Sequence, residues 1–225
     1  MEINVLYEDN HLLAVVKPPE IPVQADDSRT PDFLSLLKDY IKEKYQKPGN
    51  VYLGLVHRLD RNAGGVMVFA RTSKAASRLS SQIREHETKK TYLAVVNGNP
   101  EKQRNRLTNY LLKDEKTNIV SVVDPCTPGA KEAILDYEVI DHKDDLSLVR
   151  VNLLTGRSHQ IRVQMATIGN PLYGDVKYRN LGEKNENNLA LWSYQMEIDH
   201  PVTKERMRFT SNPPDYYPWN LFEIV

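Results

Sequence analysis

The 225-residue chain has a single cysteine, Cys126, which excludes an intrachain disulfide. The simplest compartment for such a chain is the reducing cytoplasm. Cys126 lies in the turn-like run Asp124-Pro125-Cys126-Thr127-Pro128-Gly129, with no catalytic company. Net charge is zero, with 30 basic and 30 acidic residues. That is low for a nucleic-acid binder taken as a whole. No apolar run reaches the length of a membrane span. The start, Met1-Glu2-Ile3-Asn4, lacks the basic-then-apolar layout of a secretion signal. There is no GxGxxG, no Walker-type loop and no Cys/His cluster at metal-ligand spacing. The expectation is therefore no cofactor, no metal and no membrane partner.

What is present describes an ordinary globular chain, 40% apolar and 27% charged. Short strands are predicted at 5–7 and 12–16. Thr30 followed by Pro31 reads as a helix start, and Phe33, Leu34, Leu37, Tyr40, Ile41 and Tyr45 recur at helical spacing to about Gln46. Strands at 51–56 and 66–70 flank a polar loop. Ser73 reads as the cap of a helix with Ala76, Leu79 and Ile83 on one face. Residues 91–96 form a strand, and 101–129 an irregular excursion of loops and short strands. A hairpin pairs 131–140 with 146–154. A helix covers 158–168, a polar, mobile loop 180–188, strands 190–198 and 206–209, and a terminal helix 215–225. Strands interspersed with helices, without strict alternation, predict an α+β fold with a mixed, mainly antiparallel sheet. The expected organisation is one domain, 1–225, monomeric and with no obligate protein partner.

Two stretches fit neither ordinary core nor ordinary surface. His57-Arg58-Leu59-Asp60-Arg61 sets an acid between two arginines, ahead of Gly64-Gly65 and a β-branched strand. Thr155-Gly156-Arg157-Ser158-His159-Gln160-Ile161-Arg162 is a second dense polar group. A carboxylate has an unperturbed pKa of about 3.9, so it is already an ionised nucleophile at neutral pH. It needs placement and a charge partner, and an arginine supplies both. Local charge also departs from the neutral whole. Between His57 and Lys90 there are eight basic residues against three acidic ones. Some of these, Arg78 and Arg84 among them, read as a solvated helix face.

Together these stretches resemble the signature of the RluA-type pseudouridine synthases. The resemblance extends to Lys17-Pro18-Pro19, to Lys90-Thr91-Tyr92-Leu93-Ala94, to Gly169-Asn170-Pro171 with Gly174-Asp175, and to His200-Pro201-Val202-Thr203. It runs in the family's order from about residue 5 to 214. It implies a long mixed sheet crossed by an RNA cleft, and an enzyme that isomerises uridines of ribosomal or transfer RNA without metal or redox cofactor. It also implies the catalytic domain alone, without the N-terminal RNA-binding domain that many relatives carry.

By the resemblance, Asp60 is the nucleophile, attacking ribose or uracil or assisting a glycal route. Arg162 is its charge partner. Tyr92 stacks on the uracil and is a candidate base for the C5 proton, although an ordinary tyrosine pKa of about 10 makes it a weak one. The target base must leave its stack, and Arg58 is expected to fill the gap, with a phosphate contact as the rival role. The expected RNA face comprises His57, Arg58, Arg61, Arg71, Lys89, Lys90, Arg157 and His159. His57 supports the Arg58 loop. If 158–168 is helical, His159 and Arg162 share a face, with Ile161, Met165 and Ile168 toward the core, and His159 reads as a hydrogen-bonding structural residue. The chain departs from the family's pattern at Ala63-Gly64-Gly65, where Thr-Ser-Gly is usual. It departs again at Gln164, where His is common, and at Leu191-Trp192, where Leu-His is frequent. These bear on substrate choice more than on activity. Two other readings stand beside this one: an RNA-binding protein with a vestigial site, and a carboxylate-based carbohydrate hydrolase. The hydrolase would need a second acid beside Asp60. The nearest candidate, Asp175, sits in a glycine turn that reads as structural.

Overall fold

A computed structural model describes residues 2–25, 30–179 and 189–224. The predicted loop at 180–188 lies outside the described residues. The described residues form eleven strands and three α-helices, and the α+β, mainly antiparallel expectation holds. Among them no helix is long and apolar enough to cross a membrane. The residues group into two compact units, 1–89 with 193–211, and 90–192 with 212–225.

In the first unit β1 (Asn4–Glu8), β2 (Leu12–Lys17), β4 (Gly64–Ala70) and β10 (Leu191–Asp199) lie side by side. Strand β11 (Arg206–Thr210) pairs with β10, and the short β3 (Gly54–Leu55) with β4. Every residue of β4 is buried, so its apolar run serves both faces of the sheet. On one face Leu12, Ala14, Val66, Val68 and Ala70 pack with Ala75 and Leu79 of α2 (Ser73–Arg84). On the other, Phe69 meets Phe33 of α1 (Phe33–Lys44) edge to face, ring centroids 6.2 Å apart. The helix starts differ from expectation by a residue or two. Asp32, not Thr30, caps α1 by accepting the Ser35 N–H, and Thr72, not Ser73, caps α2. Gly65 has φ +110°, and a Cβ there would meet the Ser193 carbonyl oxygen at 2.3 Å. Only glycine lets β4 and β10 approach so closely.

In the second unit the order is β5 (Lys89–Asn97), β9 (Leu146–Leu153), β8 (Lys131–Lys143), β6 (Arg104–Asp114) and β7 (Ile119–Val123). These pairings are antiparallel throughout. Helix α3 (Gln160–Thr167) packs Val163 against Leu111, Val120 and Ala133. Three expectations are corrected here. The excursion at 101–129 contains β6, an eleven-residue strand. The terminal helix reduces to a single 3-10 turn, Trp219–Leu221, because Pro213, Pro214 and Pro218 break the run. Ile168 is 36% exposed, so the apolar side of α3 ends at Met165.

Candidate active site

The strand expected at 51–56 shrinks to Gly54–Leu55, and beyond it a side chain takes over the pairing. His57 continues the ladder with its ring, Nε2 accepting the Val68 N–H at 3.0 Å. That bond fixes the start of the loop carrying Asp60. The Asp60 carbonyl accepts the Ala63 N–H at 3.1 Å, closing a tight turn on the acid. Beneath the turn lies Lys17, at the end of an otherwise apolar strand and 0% exposed. Its ammonium donates to the carbonyls of Pro18 (2.9 Å), Arg61 (2.9 Å) and Ala63 (2.8 Å). Three donors meet three acceptors, two of them inside the Asp60 turn. Burial pulls the Lys17 pKa down to about 7; the Asp60 charge opposes this and Arg61 adds to it. Asp60 is half-buried and Leu59 buried, while Arg58 projects into solvent. Among the described residues Arg58 has no side-chain partner.

Three other arginines of this unit are engaged internally. Arg61 donates through Nε to the Glu20 carbonyl at 3.1 Å and through Nη2 to Thr30 Oγ1 at 3.3 Å, holding both residues to the Asp60 turn. Arg71 is nearly buried, pairs with Glu8 at 3.0 Å, bonds the Asp9 carbonyl and lies 4.7 Å from the Tyr45 ring centroid. Arg78 donates to the Pro201 carbonyl at 2.6 Å.

In the second unit the polar stretch ends in a buried ion pair. Arg162 Nε meets Asp175 Oδ2 at 2.7 Å and Nη2 meets Oδ1 at 2.8 Å. Asp175 Oδ1 also accepts the backbone N–H groups of Lys177 (2.9 Å) and Tyr178 (3.2 Å). This carboxylate orients Arg162, and the hydrolase reading loses its second acid. The Arg162 guanidinium lies 5.1 Å from the Tyr178 ring centroid. His159 does not share a helix face with Arg162, because it stands at the N-cap of α3 in the left-handed region, φ +51°. The two meet through Tyr178 instead: His159 Nδ1 lies 2.6 Å from the Tyr178 hydroxyl. Arg157 is exposed and donates Nε to the Glu132 carbonyl at 2.8 Å. Gln160, buried beside it, accepts from Arg157 N and Thr155 Oγ1 and donates to the Ile134 carbonyl. That small network holds the Thr-Gly-Arg turn in shape. Tyr92 is 7% exposed and sits on β5 opposite Val151 of β9. Lys90, two residues earlier, is on the same face, while Lys89 is exposed.

Sequence reasoning missed the clamping role of Lys17 and the part of Tyr178. A lysine ending a strand as apolar as Leu-Leu-Ala-Val-Val was the available signal for the first. Tyr178 sits in no periodic element and gave none.

Residues 11–167 match the model of the RNA pseudouridylate synthase family. The chain is 34% identical over 208 residues to the uncharacterized RNA pseudouridine synthase YhcT of Bacillus subtilis, covering 91% of this chain and 66% of that protein. It is 30% identical over 223 residues to ribosomal large subunit pseudouridine synthase C of Haemophilus ducreyi, covering 96% and 67%. The chain thus spans about two thirds of the length of these relatives. Its fold superposes on human RNA pseudouridylate synthase domain containing 4 with a TM-score of 0.81 at 21% identity, covering 97% of this chain and 91% of that one. The chain belongs to the RNA pseudouridylate synthase family, enzymes that isomerise uridine within RNA.

Proposed function

We propose that this protein converts particular uridines of ribosomal or transfer RNA to pseudouridine, with Asp60 as nucleophile and the target base flipped out of its stack. The observation that carries the reading is the Asp60 turn, a half-exposed acid whose loop is fastened from below by Lys17, within the stretch matching the family model. The reaction breaks the bond from ribose to uracil N1, turns the base and joins ribose to C5, which gives up its proton while N1 gains one. Asp60 begins it and Arg162 balances its charge, with Asp175 fixing the guanidinium plane. Tyr92 stacks on the loose uracil. Arg58, exposed and without a side-chain partner among the described residues, fills the gap left by the base.

Lys89, Lys90 and Arg157 meet phosphates. His57, Arg61, Arg71 and His159 already hold internal partners, and we assign them to supporting the RNA-facing loops. The name of the Haemophilus ducreyi relative favours ribosomal over transfer RNA. The protein acts as a monomer in the cytoplasm.

The test is to map pseudouridines in cellular RNA from cells with the protein, without it, and with the Asp60→Asn variant in its place. Sites should vanish in the last two. A site that persists in cells carrying Asp60→Asn would remove Asp60 from the nucleophile role.

A further inference from the structure

Lys90 stands out among the cations of the second unit. Its ammonium is largely buried, and among the described residues it has no hydrogen-bond acceptor and no carboxylate partner. Burial lowers its pKa, and no nearby charge offsets the effect. An unpaired ammonium held out of water is costly unless an anion arrives to complete it. Its surroundings leave an opening for one. Lys90 pairs across the sheet with Leu153, at the end of β9, and the next turn brings Gly156 over it. A Cβ built on Gly156 would lie 3.7 Å from Lys90 Nζ. Glycine there leaves that side of the ammonium bare, and the residue is exposed to incoming ligand.

The position of Lys90 also fits one particular anion. Lys90 and Tyr92 project from the same face of β5. Two strand residues advance about 7 Å. A nucleotide's base and its flanking phosphates are separated by one ribose, the same scale of distance.

We infer that Lys90, uncovered by Gly156, is the socket for a single backbone phosphate next to the target uridine, registering the RNA so that the uracil meets Tyr92. This rests on the uridine-isomerising reading above. It separates Lys90 from Lys89, whose exposed charge serves general attraction to the RNA.

The probe is a short single-stranded oligoribonucleotide with one uridine, and versions carrying an uncharged methylphosphonate linkage 5′ or 3′ to that uridine. Affinity is measured for the wild type, Lys90→Gln and Lys89→Gln. Loss of one charge-assisted contact should weaken wild-type binding about tenfold at one of the two linkages. Lys90→Gln should bind the charged oligonucleotide about tenfold less tightly and lose nothing further at that linkage. Lys89→Gln should keep the full methylphosphonate effect. Gly156→Ala, which introduces no clash, should weaken binding in the same linkage-specific way by covering the ammonium, and it serves if Lys90→Gln does not fold. Additive losses for Lys90→Gln at both linkages, or no binding of the probe, overturn the inference. Pseudouridine mapping is scored separately. A protein that modifies RNA yet shows no coupling loses this inference alone, and one that modifies none loses the reading beneath it.

Discussion

Asp175 holds Arg162 edge to edge, Nε on Oδ2 at 2.7 Å and Nη2 on Oδ1 at 2.8 Å, and its side chain is 0% exposed. A buried arginine held in this bidentate way has its plane fixed before substrate arrives. The arrangement makes Asp175 a positioning residue for the cation that the proposed reaction uses.

Asp175→Asn should therefore cost both stability and turnover. Removing the carboxylate charge from a buried pair of this kind costs up to about 3–5 kcal/mol. Melting temperature and the rate of tritium release from uridine C5 are the two readouts. Asp175→Glu keeps the charge but displaces the fork, and should retain more stability than activity. Equal turnover in wild type and Asp175→Asn would show that Arg162 needs no such orientation.

Lys17 gives a second test, of the clamp on the Asp60 turn. Lys17→Met fills the strand position and removes three donors at once. Each carbonyl left buried without a partner costs about 1–3 kcal/mol. Turnover should fall more than RNA affinity, because the acid is displaced while the phosphate contacts remain. The pH dependence has a definite sign. The folded pKa lies near 7, below the usual 10.5. Between those values the unfolded chain keeps a proton that the fold releases, so the contribution of Lys17 to stability rises with pH across that window. Melting temperatures from pH 7 to 10 should show this slope in the wild type and lack it in Lys17→Met.

Which elements could be read from the sequence follows from how they are buried. Strands β2, β4 and β5 each contain an unbroken apolar run, and helices α1 and α2 have a single buried stripe, so composition and period reveal them. Strand β6 buries only Leu107 and Leu111, and its exposed side is lined with Arg104 opposite Glu138 and Arg106 opposite Asp136. Those cross-strand ion pairs make an eleven-residue strand look like a charged loop. Helix α3 is buried from Gln160 through Met165, leaving no amphipathic stripe to mark where it begins. Asp60 and Arg162 were legible as chemistry because each stands in a dense motif. The clamps that hold them, Lys17 on backbone carbonyls and Asp175 on a guanidinium, act across 44 and 13 residues of chain, which no local pattern records.

The acid limb of stability should be set partly in the first unit. Burial alone would raise the carboxyl pKa values of Glu8 and Asp9, but hydrogen bonds outweigh it and both are lowered. Asp9 Oδ1 accepts the N–H groups of His11 and Leu12 at 2.7 Å, and Oδ2 lies 2.9 Å from His200 Nε2. Glu8 accepts from Lys44 and Tyr40. With folded values below the usual 3.8 and 4.5, their stabilisation is complete above those ordinary values. It is lost as pH falls through the lowered ones. Asp9→Asn should lower the melting temperature at pH 7 and flatten its fall below pH 5. A parallel fall in both proteins would show that Asp9 contributes nothing to the acid limb.

Salt dependence separates the two roles open to Arg58. With Arg61 and Arg71 engaged by internal partners, the phosphate contacts proposed above are those of Lys89, Lys90 and Arg157. At about 0.7 per contact on single strands, three contacts give a log–log slope near −2. If Arg58 fills the gap behind the flipped base, Arg58→Ala should abolish turnover on structured RNA and leave that slope almost unchanged. Unstructured RNA should be affected less, since its uridine has little stacking to lose. If Arg58 held a phosphate instead, the slope would fall by nearly one contact, and turnover would return at high enzyme concentration. Affinity measured across a salt series, alongside single-turnover rates on structured and unstructured RNA, decides between them, and the second pattern would reject the gap-filling role.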